Sequence, residues 1–223
     1  MYNHARGVFY NMSSIEKRPA FSFKDALAML LEEKRAKFNE TVEIAINLDT
    51  KLTDVPVRGF VDAPNGLGRD IPIAVFCDSK IDGVAYCGGE ELIEKFAKGE
   101  IKKCKVCIAT KKYVPLISAK IGKILGRKRI MPDARFGTVV EDEPGILRTV
   151  ECFRKGRMNF RANKNVIHCI LGKVDFKADA LEENFTTLIK EISGVLPPKT
   201  RIGSSYISST MSKKSFEVKV GNI

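Results

Sequence analysis

The stretch Lys37-Phe38-Asn39-Glu40-Thr41-Val42-Glu43-Ile44-Ala45-Ile46-Asn47-Leu48 decides how this chain is read. From Val42 it alternates strictly. Val42, Ile44, Ile46 and Leu48 fall on one side, and Thr41, Glu43, Ala45 and Asn47 on the other. A period of two is that of a half-buried strand, with one face on a core and one face available. At its mouth stand a cation, an aromatic ring and a hydroxyl: Lys37, Phe38 and Thr41. A phenylalanine there either starts the core or edges a polar face that grips a ligand.

Upstream, Ser22 and Asp25 have the spacing of a capping box. Phe23, Ala26, Leu27, Leu30 and Leu31 then recur at helical spacing, which predicts an amphipathic helix over 23–36 feeding the strand. After a turn near Thr53-Asp54, Val55–Val61 reads as a second strand, ending at Pro64-Asn65-Gly66-Leu67-Gly68.

There the texture changes. Ile71–Cys77 is almost wholly apolar, as in a strand covered on both faces. Val84–Cys87, Cys104–Ala109 and Thr138–Val140 are further short strands. Between them lie a helix over Glu90–Lys98, a broken helix over Val114–Leu125 that stops at Gly126, and a helix from Asp142 to Gly156. Strands alternating with helices predict a small α/β unit. Past Gly156 alternation returns over 158–162, turns at Asn163-Lys164-Asn165 and is answered by Val166–Leu171. A helix opens at Asp179 and breaks at Pro197-Pro198. Tyr206–Thr210 and Phe216–Val220 close the chain as strands.

The economical arrangement is an α+β domain built from both termini, residues 21–66 and 157–223. Inserted into it is a three-layer, Rossmann-like α/β domain over 67–156. Two linkers, near Pro64–Gly68 and at Gly156, permit hinge motion between them. Residues 1–20 form an N-terminal extension. It has no acid before Glu16, as in an organellar leader or a frayed terminus.

Charge narrows the partners. Thirty-eight Lys and Arg against 27 Asp and Glu give +11 in 223 residues. Twelve cations between Lys98 and Arg135 face only Glu100 and Asp133, so nearly the whole excess sits on the inserted segment. Such a block favours a polyanion. A second cluster, Ser204, Ser205, Tyr206, Ser208, Ser209, Thr210, Met211 and Ser212, offers hydroxyls suited to RNA sugar and phosphate, or else a serine-rich edge strand. No apolar run approaches the ~18 residues of a membrane span.

Catalysis has little to stand on. The only histidines are His4 and His168. Asn65-Gly66-Leu67-Gly68 precedes a strand, whereas a phosphate loop follows one and opens a helix. Gly88-Gly89 does open a helix and could hold an anion. Cys104 and Cys107, read as three apart on one strand, would point to opposite faces and so neither hold a metal nor form a redox pair, which would sit where a strand gives way to a helix. No catalytic residue, metal, cofactor, small-molecule substrate or membrane partner is therefore expected.

Several stretches occur together in order: Lys37-Phe38-Asn39-Glu40-Thr41-Val42-Glu43, Val57-Arg58-Gly59, Pro64-Asn65-Gly66-Leu67-Gly68, Gly88-Gly89-Glu90-Glu91-Leu92-Ile93, Met131-Pro132, Gly137-Thr138-Val139, Ile167-His168 with Gly172-Lys173, and Ser209-Thr210-Met211. From about Phe23 to Val220 the chain resembles the large-subunit ribosomal protein one family, the protein of the mobile stalk. The resemblance implies a hinged two-domain protein that binds the stalk region of large-subunit ribosomal RNA. It also implies movement and release of deacylated tRNA at the exit site, among other ribosomal components. A ribosome-assembly or translational-repressor role is the alternative. RNA contacts carry over onto Lys37, Phe38, Thr41, Glu43, His168, Lys173, Ser204, Thr210 and Met211. Lys120, Lys123, Arg127, Lys128, Arg129 and Arg135 are candidates for tRNA or RNA phosphates. The family's Gly after Thr-Met is here Ser212, its Gly-Pro-Arg-Gly loop is Gly126-Arg127-Lys128-Arg129, and its Pro-His-Gly is Pro-Asn-Gly. With the raised cysteine count and the unusual start, these departures point to an organellar ribosome, mitochondrial before plastid, with the bacterial cytoplasm as the alternative.

Overall fold

The computed structural model describes residues 19–32, 36–50, 57–79, 81, 83–101, 103–163 and 165–220. Among these residues the fold is mixed α/β, with two sheets and five α-helices. The expected turn near Thr53-Asp54 and the first residues of the expected strand at Val55 lie outside the described residues.

Six strands form one antiparallel sheet: β1 (Thr41–Asp49), β2 (Arg58–Asp62), β7 (Arg157–Asn163), β8 (Val166–Lys173), β9 (Arg201–Ser209) and β10 (Phe216–Val218). Their order is β10-β9-β1-β8-β7-β2, so the deciding strand lies inside the sheet, between β9 and β8. Its alternation is observed. Val42, Ile44, Ile46 and Leu48 are buried, while Glu43 is exposed. The buried side packs on α1 (Phe23–Glu32) and α5 (Ala178–Val195), through Leu27 and Leu30 from one helix and Leu181, Leu188 and Ile192 from the other. Phe23 and Phe185 stack between the helices at 4.8 Å. The capping box of α1 forms: the Asp25 N–H donates to the Ser22 Oγ, whose O–H donates to the Asp25 carboxylate.

The second sheet is parallel, in the order β4-β3-β5-β6, from β3 (Ile73–Phe76), β4 (Tyr86–Gly88), β5 (Val106–Thr110) and β6 (Val139–Val140). β3 is buried at every position because both faces are covered. Ala74 and Phe76 meet α2 (Glu90–Ala97) and α3 (Val114–Lys128). Ile73 and Val75 meet Ile146, Val150 and Phe153 of α4 (Glu143–Lys155).

The two passages between the sheets run side by side. The Ala63 N–H donates to the Gly156 carbonyl at 3.2 Å. Gly156 has φ +127°, and a Cβ there would meet Gly66 Cα and Leu67 N at 2.7 Å. Only glycine fits that crossing. The buried Asn184 of α5 secures the same passage: it accepts from the Asn65 N–H and donates to the Gly66 and Leu171 carbonyls.

Three readings of the sequence need correction. The helix expected to break at Gly126 runs unbroken to Lys128, because the left-handed cap falls at Arg129, where the Arg129 and Ile130 N–H groups donate to the Gly126 and Leu125 carbonyls. The last long strand begins at Arg201, not Tyr206. Its first half, rich in serine and glycine, carries little apolar alternation, but it pairs with β1. Finally, Cys104 lies ahead of β5, so the rule of opposite faces does not govern it. The Cys104 and Cys107 sulfurs converge to 3.7 Å.

Candidate nucleic-acid interface

The deciding stretch and the closing segment meet at one corner of the antiparallel sheet. The Thr210 N–H donates to the Thr41 carbonyl at 3.1 Å, and the Thr41 N–H donates to the Thr210 Oγ1 at 3.2 Å. From β8, the Lys173 ammonium donates to the Thr41 hydroxyl at 3.0 Å and to the Asn39 carbonyl at 3.3 Å. Two large apolar side chains stand out of this polar setting, Phe38 at 53% exposure and Met211 at 56%. An exposed ring and a thioether beside a cation and hydroxyls offer a ligand both apolar and polar contact.

Glu40 holds the corner together, and sequence reasoning missed it as a site residue. It is 1% exposed. Its carboxylate accepts from the Ser209 hydroxyl at 2.6 Å, the Met211 N–H at 3.2 Å and the Ala36 N–H at 3.3 Å. One buried carboxyl group therefore joins the loop that carries Phe38 to the turn that carries Met211. It stands two residues ahead of Val42, in phase with the buried side of β1, so the alternation did point inward and only its charge concealed it.

The open face of the sheet continues from the corner. Glu43 pairs across to Ile170 and Ser208, and Ala45 to His168 and Tyr206. Thr41, Glu43, His168 and Lys173 thus share one neighbourhood, and Thr210 adjoins it. Ser204 shares the face at its other end. Its hydroxyl accepts from the Asn47 amide at 2.8 Å, six residues along β1 from Thr41, ~20 Å away. The serine cluster is not one hydroxyl surface. Ser205 and Ser209 point inward and are buried, leaving Ser204, Tyr206 and Ser208 on the open side. Lys37 is exposed beside Phe38.

The other candidate cations divide into groups. Lys120, Lys123 and Arg127 recur at spacings of three and four on the exposed side of α3, with Lys120 3.8 Å from Glu90. Arg135 lies in the short 3-10 turn Ala134–Phe136. Lys128 and Arg129 line a cleft of about 770 Å3 between the two sheets, opposite Glu43 and His168. At the rim, Arg157 makes a bidentate pair with Asp62 at 2.6 and 2.9 Å and lies 4.2 Å over the Phe60 ring. The Gly88-Gly89 anion site is not open. Tyr113 closes on it, and its hydroxyl, bonded to Asp78, would meet a Cβ on Gly89 at 2.7 Å. That bond to the Asp78 carboxylate pushes the Tyr113 phenol up to about 12.

Fold and surface define a basic α/β protein of two sheets, with a polar sheet face and a cationic lobe. The profile of the Ribosomal protein L1p/L10e family matches residues 30–213. The Large ribosomal subunit protein uL1 of Mesoplasma florum is 34% identical over 206 residues, covering 89% of this chain and 88% of that protein. The protein of the same name from Coxiella burnetii is 34% identical over 209 residues, covering 88% of each. The chain belongs to the ribosomal protein L1p/L10e family and is a ribosomal protein, not an enzyme. These relatives are bacterial and give no support to the organellar compartment drawn from the first residues and the cysteine count. Among the described residues, no helix is long and apolar enough to cross a membrane.

Proposed function

We propose that this protein is a structural constituent of the large ribosomal subunit and binds the stalk region of its ribosomal RNA. The single observation that carries the reading is the joined corner: Phe38 and Met211 exposed over Thr41, Thr210 and Lys173, on a buried Glu40. Phe38 offers a ring on which a base or ribose stacks. Thr41, Thr210 and Lys173 offer donors to sugar and phosphate oxygens. Residues 21–66 with 157–223 act as the RNA-holding domain. Residues 67–156 act as a second domain that swings on Gly66 and Gly156 to follow deacylated tRNA leaving the exit site. Lys120, Lys123 and Arg127 on α3 face that tRNA, and Lys128, Arg129, Glu43 and His168 meet RNA when the cleft opens.

The test is sedimentation of the tagged protein from cells through a sucrose gradient. Presence on mature large subunits supports the reading. Confinement to precursor particles, or to messenger free of subunits, favours an assembly or repressor role instead. In binding to a stalk RNA fragment, Phe38→Ala removes a stacking contact of about 1–3 kcal/mol and weakens affinity roughly tenfold or more. Unchanged affinity in a folded variant rejects the assigned corner.

A further inference from the structure

The two sulfurs that converge ahead of β5 are an unassigned feature of the second sheet. Cys104 precedes the strand and Cys107 is its second residue. The Lys105 N–H donates to the Pro72 carbonyl at 3.0 Å, fixing the chain as it enters the sheet. Both side chains then turn to the core shared with α2 and α3, with their sulfurs 3.7 Å apart. They are 7% and 2% exposed, yet neither is sealed in. Cys104 lines the cleft between the sheets with Lys128, and Cys107 lines an adjoining cavity of about 360 Å3. A small polar oxidant has a route to them from that side.

We propose that Cys104 and Cys107 form a dithiol site that a peroxide oxidises to an intramolecular disulfide. The Cys104 thiolate attacks one oxygen of hydrogen peroxide. The O–O bond breaks, the departing hydroxide takes a proton to become water, and Cys104 is left as a sulfenic acid. Cys107 gives up its proton and attacks the Cys104 sulfur. The S–O bond breaks, and the leaving hydroxide takes that proton as a second water. Two thiols have lost two electrons, and the peroxide has gained them. Closing the bond draws the sulfurs from 3.7 Å to about 2 Å, a small movement just ahead of β5.

The order of events follows from the surroundings. The hydrogen bond with the Cys107 thiol, with smaller contributions from the Val106 and Ala74 backbone and the Lys128 charge, holds the Cys104 thiol below its ordinary range against the opposing effect of burial. Cys107 is pushed up by the same pairing. Cys104 is therefore the attacking thiolate and Cys107 the resolving thiol. A second pair, Cys77 and Cys87, also has sulfurs 3.7 Å apart. Burial, followed by the bond to Cys87, pushes Cys77 up to about 12. Cys169 also reaches the cleft, but burial pushes it up to about 12.

The experiment treats the reduced full chain with graded hydrogen peroxide, caps free thiols with N-ethylmaleimide and digests with trypsin. Trypsin cuts after Lys103, Lys105 and Lys111. The reduced chain yields Cys104-Lys105 and Val106–Lys111 separately; the disulfide holds them as one species, which dithiothreitol splits. That species is expected to accumulate roughly tenfold faster than Cys169 or Cys77 loses its cap. In Cys107→Ser, Cys104 should be captured by dimedone as the sulfenic acid. The proposal is overturned if the linked species never forms while other cysteines oxidise, or if Cys77–Cys87 closes first. It is equally overturned if dimedone leaves Cys104 untouched in folded Cys107→Ser.

Discussion

Replacing Glu40 by alanine removes the acceptor on which both halves of the corner converge. The Ser209 bond at 2.6 Å is short and charge-assisted, and a bond of that kind contributes about 1.5–3 kcal/mol. The bonds from Met211 and Ala36, at 3.2 and 3.3 Å, are longer, and together add about 1 kcal/mol. Part of this is offset, because the variant no longer buries a carboxylate. A net loss of about 3 kcal/mol is expected. With a urea dependence of about 3 kcal/mol per molar, the unfolding midpoint falls by about 1 M. Glu40→Gln keeps the volume and one acceptor oxygen, so about half that loss is expected. Urea titration by circular dichroism measures both. At low temperature in the absence of urea both variants stay folded, and stalk-RNA affinity should still fall about tenfold, because Phe38 and Met211 are no longer held together. If Glu40→Ala unfolds at the wild-type midpoint and binds RNA as tightly, the carboxylate does not organise the corner.

Gly156→Ala should destabilise the chain by about 2–4 kcal/mol in the same titration, since its Cβ meets backbone at 2.7 Å in a strained φ; a near-neutral result would mean the crossing yields easily. Asn184→Asp sets a carboxylate against the Gly66 and Leu171 carbonyls, which raises its folded-state pKa above the unfolded value of about 3.9. Its stability relative to wild type should therefore be best below pH 4 and be lost as pH rises, by about 3–5 kcal/mol at pH 7; a pH-independent difference would refute this. Ser205 is fully buried, and its hydroxyl has no hydrogen-bond partner among the described residues, so Ser205→Ala should be neutral or raise stability by up to about 1 kcal/mol in thermal unfolding.

The fold was legible wherever burial imposes a period. Val42 to Leu48 could only be a strand with one wet face, and Ile73 to Phe76 only a strand with none. The helix with Leu181, Leu188 and Ile192 on one side could be read the same way. What escaped was set by partners distant in sequence. Glu40 is buried because Ser209 and Met211, about 170 residues on, bring donors to it. Arg201 to Ser205 form a strand because β1 supplies the hydrogen bonds, with little help from their own side chains. The Cys104–Cys107 approach depends on where β5 begins, and strand ends are the least legible feature of a sequence. Of the candidate site, the ordered motif residues fall at one corner and along one face. Ser204 lies at the far end of that face, and Ser205 and Ser209 of the serine cluster turn into the core.

The central claim is that two distant parts of the chain make one RNA-holding surface. Ultraviolet crosslinking of the protein to a stalk fragment of large-subunit ribosomal RNA, with adducts mapped by mass spectrometry, tests it most directly. Adducts should fall both on the peptide holding Phe38 and Thr41 and on the peptide holding Thr210 and Met211, and at limiting protein both should weaken together, about tenfold, in Phe38→Ala. Adducts confined to the cationic segment from Lys98 to Arg135, with none at either half of the corner, would contradict it.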